Sequence, residues 1–185
     1  AGPCVVENES LTMDIAQTIS VICKELDIPY FFKASYRKAN RSSLNSFTGM
    51  EQEKALEILL TIKKELEIPV VTDIHTEEEA TWAARGADVL QIPAFLSRQT
   101  DLLIAAAKTG KIVIIKKGQF LSPDVMIYAV ARVRFTGNER VMITYRGKTF
   151  GYQVLILAYR GIMVLIKNDC TCILDCTTSL PQLNQ

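Results

Sequence analysis

The chain has 185 residues, 49% of them hydrophobic, which is enough to bury the core of one domain and excludes a disordered polymer. Its 21 Lys and Arg balance 20 Asp and Glu to a net charge of +1, so no global field recruits nucleic acid or an anionic membrane; any anion site must come from local clusters. The most apolar segment, residues 154–166, is too short to span a bilayer and carries Arg160 at its centre, which predicts no membrane partner. The opening "AGPCVV" lacks a basic stretch followed by an apolar core, so no signal peptide is visible in this sequence, and removal of an upstream one stays open. Five cysteines, an odd number, suit reduced thiols in the cytoplasm better than a disulfide framework.

In chain order, "AGPCVV" reads as the end of a first strand. Leu11, Ile15, Ile19, Ile22 and Leu26 then keep helical spacing and predict an amphipathic helix. "KELDIPYFFKAS" (24–35) closes that helix, turns at Pro29 and enters a second strand. "KELEIPVVTDIH" (64–75) repeats the pattern around Pro69, after a helix marked by Leu56, Leu59, Leu60, Ile62 and Leu66. Thr76 and Glu79 form a capping-box pattern and Gly86 a stop, so "TEEEATWAARGA" reads as a helix and "DVLQIPAF" as a strand. "RQTDLLIAAAKTG" is a helix, "KIVIIKKGQF" a strand, "SPDVMIYAVARVRFTGN" a helix and loop, "ERVMITYRG" a strand, and "CTCILDCTTS" one more.

Seven strands alternating with helices predict a parallel sheet, either doubly wound or closed into a barrel. Lys33, Ser35, Asp73, His75, Gln91, Lys116 and Arg146 all fall at or near the C-terminal ends of their strands, the ends that surround the active-site mouth of a (β/α)8 barrel. The expectation is therefore an α/β chain, a single (β/α)8 TIM-type barrel domain over residues 1–185, with about seven of eight strands and truncated at both ends.

"FFKASYRKANRSS" gathers Lys33, Arg37, Lys38 and Arg41 where an apolar strand runs out. With Lys116, Lys117 and Arg146 from other strand ends, they predict one anion site scattered in sequence, and a mixed lysine and arginine set suits a small phosphorylated acid. The same residue types also fit a solvated surface. No glycine-rich phosphate loop and no G-x-S-x-G elbow can be read. His75, the one histidine, is either a polar rim residue or functional. Cys4 is either a small buried hydrophobe or a thiolate metal ligand, and Cys170, Cys172 and Cys176 leave a zinc site open without a fourth ligand at the usual spacing.

Beyond these readings, "AGPCVVE", "FKASYRKANRSS", "PVVTDIH", "LQIPAFLSRQTDLLIAAAKTGK", "KKGQFLSP", "GNERVMIT" and "RGKTFGY" follow one another as in a known family. The chain resembles the 3-deoxy-D-manno-octulosonate 8-phosphate synthases, which condense phosphoenolpyruvate with D-arabinose 5-phosphate. "KANRSS" distinguishes it from related synthases that use erythrose 4-phosphate and carry "KPRT" at this place. The resemblance implies that Lys33, Ser35 and Lys38 bind phosphoenolpyruvate, while Asn40, Arg41 and Ser42 hold arabinose 5-phosphate. It makes Gln91, Ala94 and Phe95 a wall of the site, and sends Arg98 to a neighbouring subunit's sugar phosphate in a homotetramer. Lys116 and Arg146 clamp the phosphoenolpyruvate phosphate, and Lys33, Asp73 and Lys116 are the implied catalytic residues.

In a metal-dependent branch of that family, a divalent ion (zinc, iron or manganese) is held partly by the cysteine matching Cys4. Here Thr178 stands where the family's metal-binding histidine stands, and the remaining carboxylate ligands belong to a region C-terminal to this sequence. Further departures are Arg37 for an aspartate, Thr48 for an arginine and Tyr145 for an acid, with a patchy match from Gln153 onward. Two functions follow: the synthase reaction, or a catalytically impaired relative that binds phosphorylated ligands or partner subunits.

Overall fold

The computed structural model describes residues 1–41, 43–151 and 154–177, without the side chains of 150 and 151. In chain order the elements are α1 (Glu9–Glu25), β1 (Phe32–Lys33), α2 (Gln52–Leu66), β2 (Val70–Asp73), α3 (Glu77–Ala83), β3 (Val89–Ile92), a 3-10 turn (Ala94–Leu96), α4 (Thr100–Lys108), β4 (Ile112–Lys116), α5 (Met126–Arg134), β5 (Val141–Tyr145), β6 (Lys148–Gly151), β7 (Val154–Ile156), α6 (Tyr159–Lys167) and β8 (Thr171–Leu174). Six strands hydrogen-bond in the order β1-β2-β3-β4-β5-β8, and β6 pairs antiparallel with β7 apart from them. Sheet neighbours succeed one another in the chain except for the excursion through β6 and β7, so the order never reverses as it does at the switch point of a doubly wound sheet. The fold is α/β, of the incomplete (β/α)8 type that the alternation predicts.

Two compact units divide the chain: Ala1–Ile74 with Trp82–Leu90, and His75–Thr81 with the residues from Gln91 onward. In the first, β1 and β2 pair in parallel, Phe32 with Val70 and Lys33 with Val71. The repeated "KEL-acid-Ile-Pro" sequence works the same way twice. After α1 and α2, Asp27 and Glu67 each take a left-handed conformation at φ 53°, ending the helix before the proline. Phe32, Tyr36, Leu59, Ile62 and Val70 fill the core, and Trp82 meets Tyr36 edge to face with ring centroids 4.8 Å apart.

Two expectations change here. The first strand reduces to a single parallel bridge, Val5 to Ser35, with the Val6 N–H donating to the Ser35 carbonyl at 2.9 Å. Gly2 permits that approach, because a Cβ on it would lie 2.5 Å from the Lys33 carbonyl oxygen. In α1 the buried positions are Thr12, Ala16 and Ser20, whereas Leu11 and Ile22, on the apolar stripe, are exposed. A seam of small side chains lets α1 approach its neighbours closely, and that contact decides the inward face.

In the second unit β4, β5 and β8 are parallel and in register, Lys116 opposite Thr144 and Tyr145 opposite Leu174. Helices α4 and α5 bury Leu102, Leu103, Ala106 and Ala107, and Met126, Ala129, Val130 and Val133. Asn138, between α5 and β5, donates its side-chain amide to the Ala107 and Lys111 carbonyls at 3.0 and 2.9 Å, pinning the turn into β4. The apolar segment 154–166 divides between β7 and α6. Gly161 lies on Tyr145, where a Cβ would come within 2.7 Å of the ring. None of the described helices is long and apolar enough to cross a membrane.

Candidate functional site

In the first unit, β1 and β2 end on a compact ionic cluster. Ser35 Oγ donates to Asp73 Oδ2 at 2.8 Å and accepts from Lys33 Nζ at 2.7 Å and Lys38 Nζ at 2.8 Å. Lys38 also reaches Asp73 Oδ2 at 3.2 Å, and Lys33 lies 3.4 Å from Oδ1. The parallel register places these groups together: Lys33 is opposite Val71, so two residues further on Ser35 and Asp73 share a face. Asp73 is only 6% exposed. Two ammonium groups against one carboxylate give the cluster an excess positive charge with little water to screen it, which suits a phosphate or carboxylate ligand.

Arg37 makes an antiparallel bridge to Gly49, and Asn40 and Arg41 are exposed on the segment between. Ser42 lies outside the described residues. Cys4 is exposed, immediately before the residue that bridges to Ser35.

In the second unit the strand ends gather Lys116, Arg146 and Asp175. Lys116 pairs across the ladder with Thr144, and Thr144 with Ile173, so two residues further on Arg146 and Asp175 fall on the same face as Lys116. Lys116 Nζ lies 3.5 Å from Asp175 Oδ2. Burial holds the Arg146 guanidinium below its usual pKa, opposed by Asp175. Among the described residues its buried Nε finds no hydrogen-bond acceptor, and the buried Gln119 Oε1 finds no donor. A buried donor on a cation normally has an acceptor, so this one points to an anion as its partner. Sequence reasoning missed Asp175, although it follows a strand end as Lys116 and Arg146 do.

Lys117 does not belong to the anion site in which its sequence places it. Next to Lys116 on a pleated strand, it faces the other way and is fully buried. Its ammonium donates to the Gly118 and Leu121 carbonyls at 2.8 and 2.9 Å and lies 5.3 Å from the Tyr145 ring centroid. Burial first, then Lys148 and Arg146, lowers its pKa to about 8. The unfolded chain keeps this proton up to about pH 10.5, so the group's penalty is relieved as pH rises from 8 towards 10.5 and returns as pH falls through 8. Urea unfolding at pH 7, 9 and 10 should therefore show the parent gaining stability relative to Lys117→Met as pH rises. A pH-independent difference would contradict this placement.

The remaining expected residues are dispersed. Gln91 is buried in β3, Ala94 is buried at the start of the 3-10 turn, and Phe95 is exposed but stacked on Phe120 at 6.2 Å. Arg98 is exposed and lines an open pocket with Ser97, Tyr128 and Arg132. His75 is bound into the start of α3: Glu79 Oε2 accepts from its backbone N–H at 2.6 Å and lies 3.1 Å from Nδ1. That replaces the reciprocal half of the expected capping box, of which Glu79 N–H to Thr76 Oγ1, at 3.4 Å, remains.

Among the described residues no group of three or more His, Cys, Asp or Glu side chains could hold a metal ion, and residues 42, 152, 153 and 178–185 contain none of these types. Burial pushes the Cys170 and Cys172 thiols up, which disfavours a reactive thiolate at either position. No reaction step is routed through a metal here.

The parallel α/β fold with basic side chains at its strand ends defines the class as a barrel-type protein built to bind anions. Residues 1–182 match the model of the DAHP synthetase I family, and the chain belongs to that family. It is 54% identical over 165 residues to the 2-dehydro-3-deoxyphosphooctonate aldolase of Koribacter versatilis, covering 89% of this chain and 59% of that protein. Proteins of the same name from Trichlorobacter lovleyi (48% over 180 residues, 97% and 66% covered) and Desulfotalea psychrophila (47% over 179 residues, 97% and 64%) are similar too. The chain thus spans 59% to 66% of the length of these relatives.

Proposed function

We propose that this chain belongs to an enzyme that condenses phosphoenolpyruvate with D-arabinose 5-phosphate, giving 3-deoxy-D-manno-octulosonate 8-phosphate and inorganic phosphate. The observation that carries this reading is the buried Arg146 Nε, without an acceptor among the described residues, on the same face as Lys116, a subsite suited to the phosphate of phosphoenolpyruvate. The relatives' name, 2-dehydro-3-deoxyphosphooctonate aldolase, supports the octulosonate product, and the resemblance to the 3-deoxy-D-manno-octulosonate 8-phosphate synthases supplies the reaction. Carbon 3 of the enol attacks the sugar aldehyde, water adds at carbon 2, and the hemiketal phosphate collapses with C–O cleavage. Lys116 and Arg146 steady the phosphate throughout. By the motifs they match, Lys33, Ser35 and Lys38 are assigned to phosphoenolpyruvate, and Asn40, Arg41 and Ser42 to the aldose phosphate. Gln91, Ala94 and Phe95 form a wall, and Arg98 reaches a second copy in a cytoplasmic homotetramer serving lipopolysaccharide synthesis.

The second reading, a relative that binds phosphorylated ligands without turnover, is favoured by Thr178 standing where the resemblance places a metal-binding histidine. Release of inorganic phosphate from phosphoenolpyruvate separates the two. Under the first reading it requires arabinose 5-phosphate, and erythrose 4-phosphate does not substitute. Equal turnover with erythrose 4-phosphate rejects the substrate assignment, and binding without release selects the second reading.

A further inference from the structure

We infer that Asp175 is a resident competitor for the phosphate subsite, a fixed carboxylate that pairs with Lys116 and weakens the hold on phosphate. The inference rests on the reading of Lys116 and Arg146 as a phosphate clamp. Asp175 is placed by the sheet itself: its N–H donates to the Tyr145 carbonyl at 3.0 Å, extending the β5–β8 ladder one residue beyond the last paired position. Its side chain therefore emerges on the face of Lys116 and Arg146.

The Lys116 contact, 3.5 Å, is longer than a charge-assisted hydrogen bond, so the lysine is neutralised without being locked and can turn to an incoming anion. Lys116 and Asp175 are both largely buried, at 19% and 17% side-chain exposure, so water screens their charges poorly. The carboxylate does two opposed things there. It relieves repulsion between the two cations when no ligand is bound, and it repels a phosphate dianion that enters beside it. The second effect dominates for a doubly charged ligand, because the repulsion scales with the ligand charge. Inorganic phosphate is the product that must leave in the proposed reaction, and a carboxylate at its elbow favours departure.

The test is calorimetric titration of inorganic phosphate into the chain and three variants. Asp175→Asn keeps the shape and removes the charge, and it should bind phosphate roughly tenfold more tightly. Asp175→Glu keeps the charge and should stay close to the parent, whereas Arg146→Ala should lose most of the binding. If Arg146→Ala loses phosphate but Asp175→Asn binds it no better than the parent, the clamp stands and the role of Asp175 is wrong. If Arg146→Ala binds like the parent, the clamp itself fails and takes this inference with it. Should Asp175→Asn not fold, Asp175→Ser carries the same expectation, read as a larger phosphate-induced rise in melting temperature than the parent shows.

Discussion

Asp73→Ala should destabilise the protein by about 3 kcal/mol, the loss expected when one partner of a buried ionic cluster is removed and its counter-ions stay behind. Asp73 answers two ammonium groups at once, Lys33 at 3.4 Å and Lys38 at 3.2 Å, and accepts the Ser35 hydroxyl at 2.8 Å. The side chains involved are 8%, 21% and 13% exposed for Asp73, Lys33 and Lys38, so solvent cannot take over the lost interaction. Alanine would leave two cations facing each other and the Ser35 hydroxyl short of its acceptor. For a chain of this length the loss corresponds to a melting temperature lower by roughly 6 to 12 °C. Asp73→Asn, which retains an acceptor for Ser35 but not the charge, should fall between alanine and the parent. Added phosphate should recover part of the loss in both variants by binding the freed cations in the folded state. Urea unfolding that places Asp73→Ala within about 0.5 kcal/mol of the parent would show that this carboxylate is not what holds the cluster together.

Much of this arrangement was legible in the sequence because a parallel strand fixes which residues reach its C-terminal end. That rule alone placed Lys33, Ser35 and Asp73 together, and Lys116 with Arg146. It failed for Lys117, since a period of two sends neighbouring lysines to opposite faces and composition does not say which one faces the ligand. It would have found Asp175, one residue past "TCIL", had that strand end been weighed for its charge as well as for its departure from a family motif. In α1 the spacing of Leu11, Ile15, Ile19, Ile22 and Leu26 identifies residues that share a stripe, but packing of the smaller Thr12, Ala16 and Ser20 decided the inward face. The pair β6 and β7 carries no turn signal that separates it from the apolar run before α6, so only tertiary pairing reveals it.

Arg146→Ala should weaken phosphoenolpyruvate by about 2 to 3 kcal/mol, or roughly 30- to 150-fold in dissociation constant, the range for charge-assisted hydrogen bonds to a buried guanidinium. Its buried Nε has no acceptor among the described residues, and an anion bound there would supply one. Arg146→Lys should recover only part of the affinity, because an ammonium offers a point charge where the guanidinium offers a planar fork. Under the proposed function Arg41 has the opposite selectivity: it is exposed on the segment after Lys38, and Arg41→Ala should weaken arabinose 5-phosphate while leaving phosphoenolpyruvate nearly untouched. Calorimetry with each substrate on each variant supplies the comparison. Losses of similar size for both substrates in both variants would mean that the two arginines do not serve separate phosphate groups, and the division of the cations into two subsites would have to be abandoned.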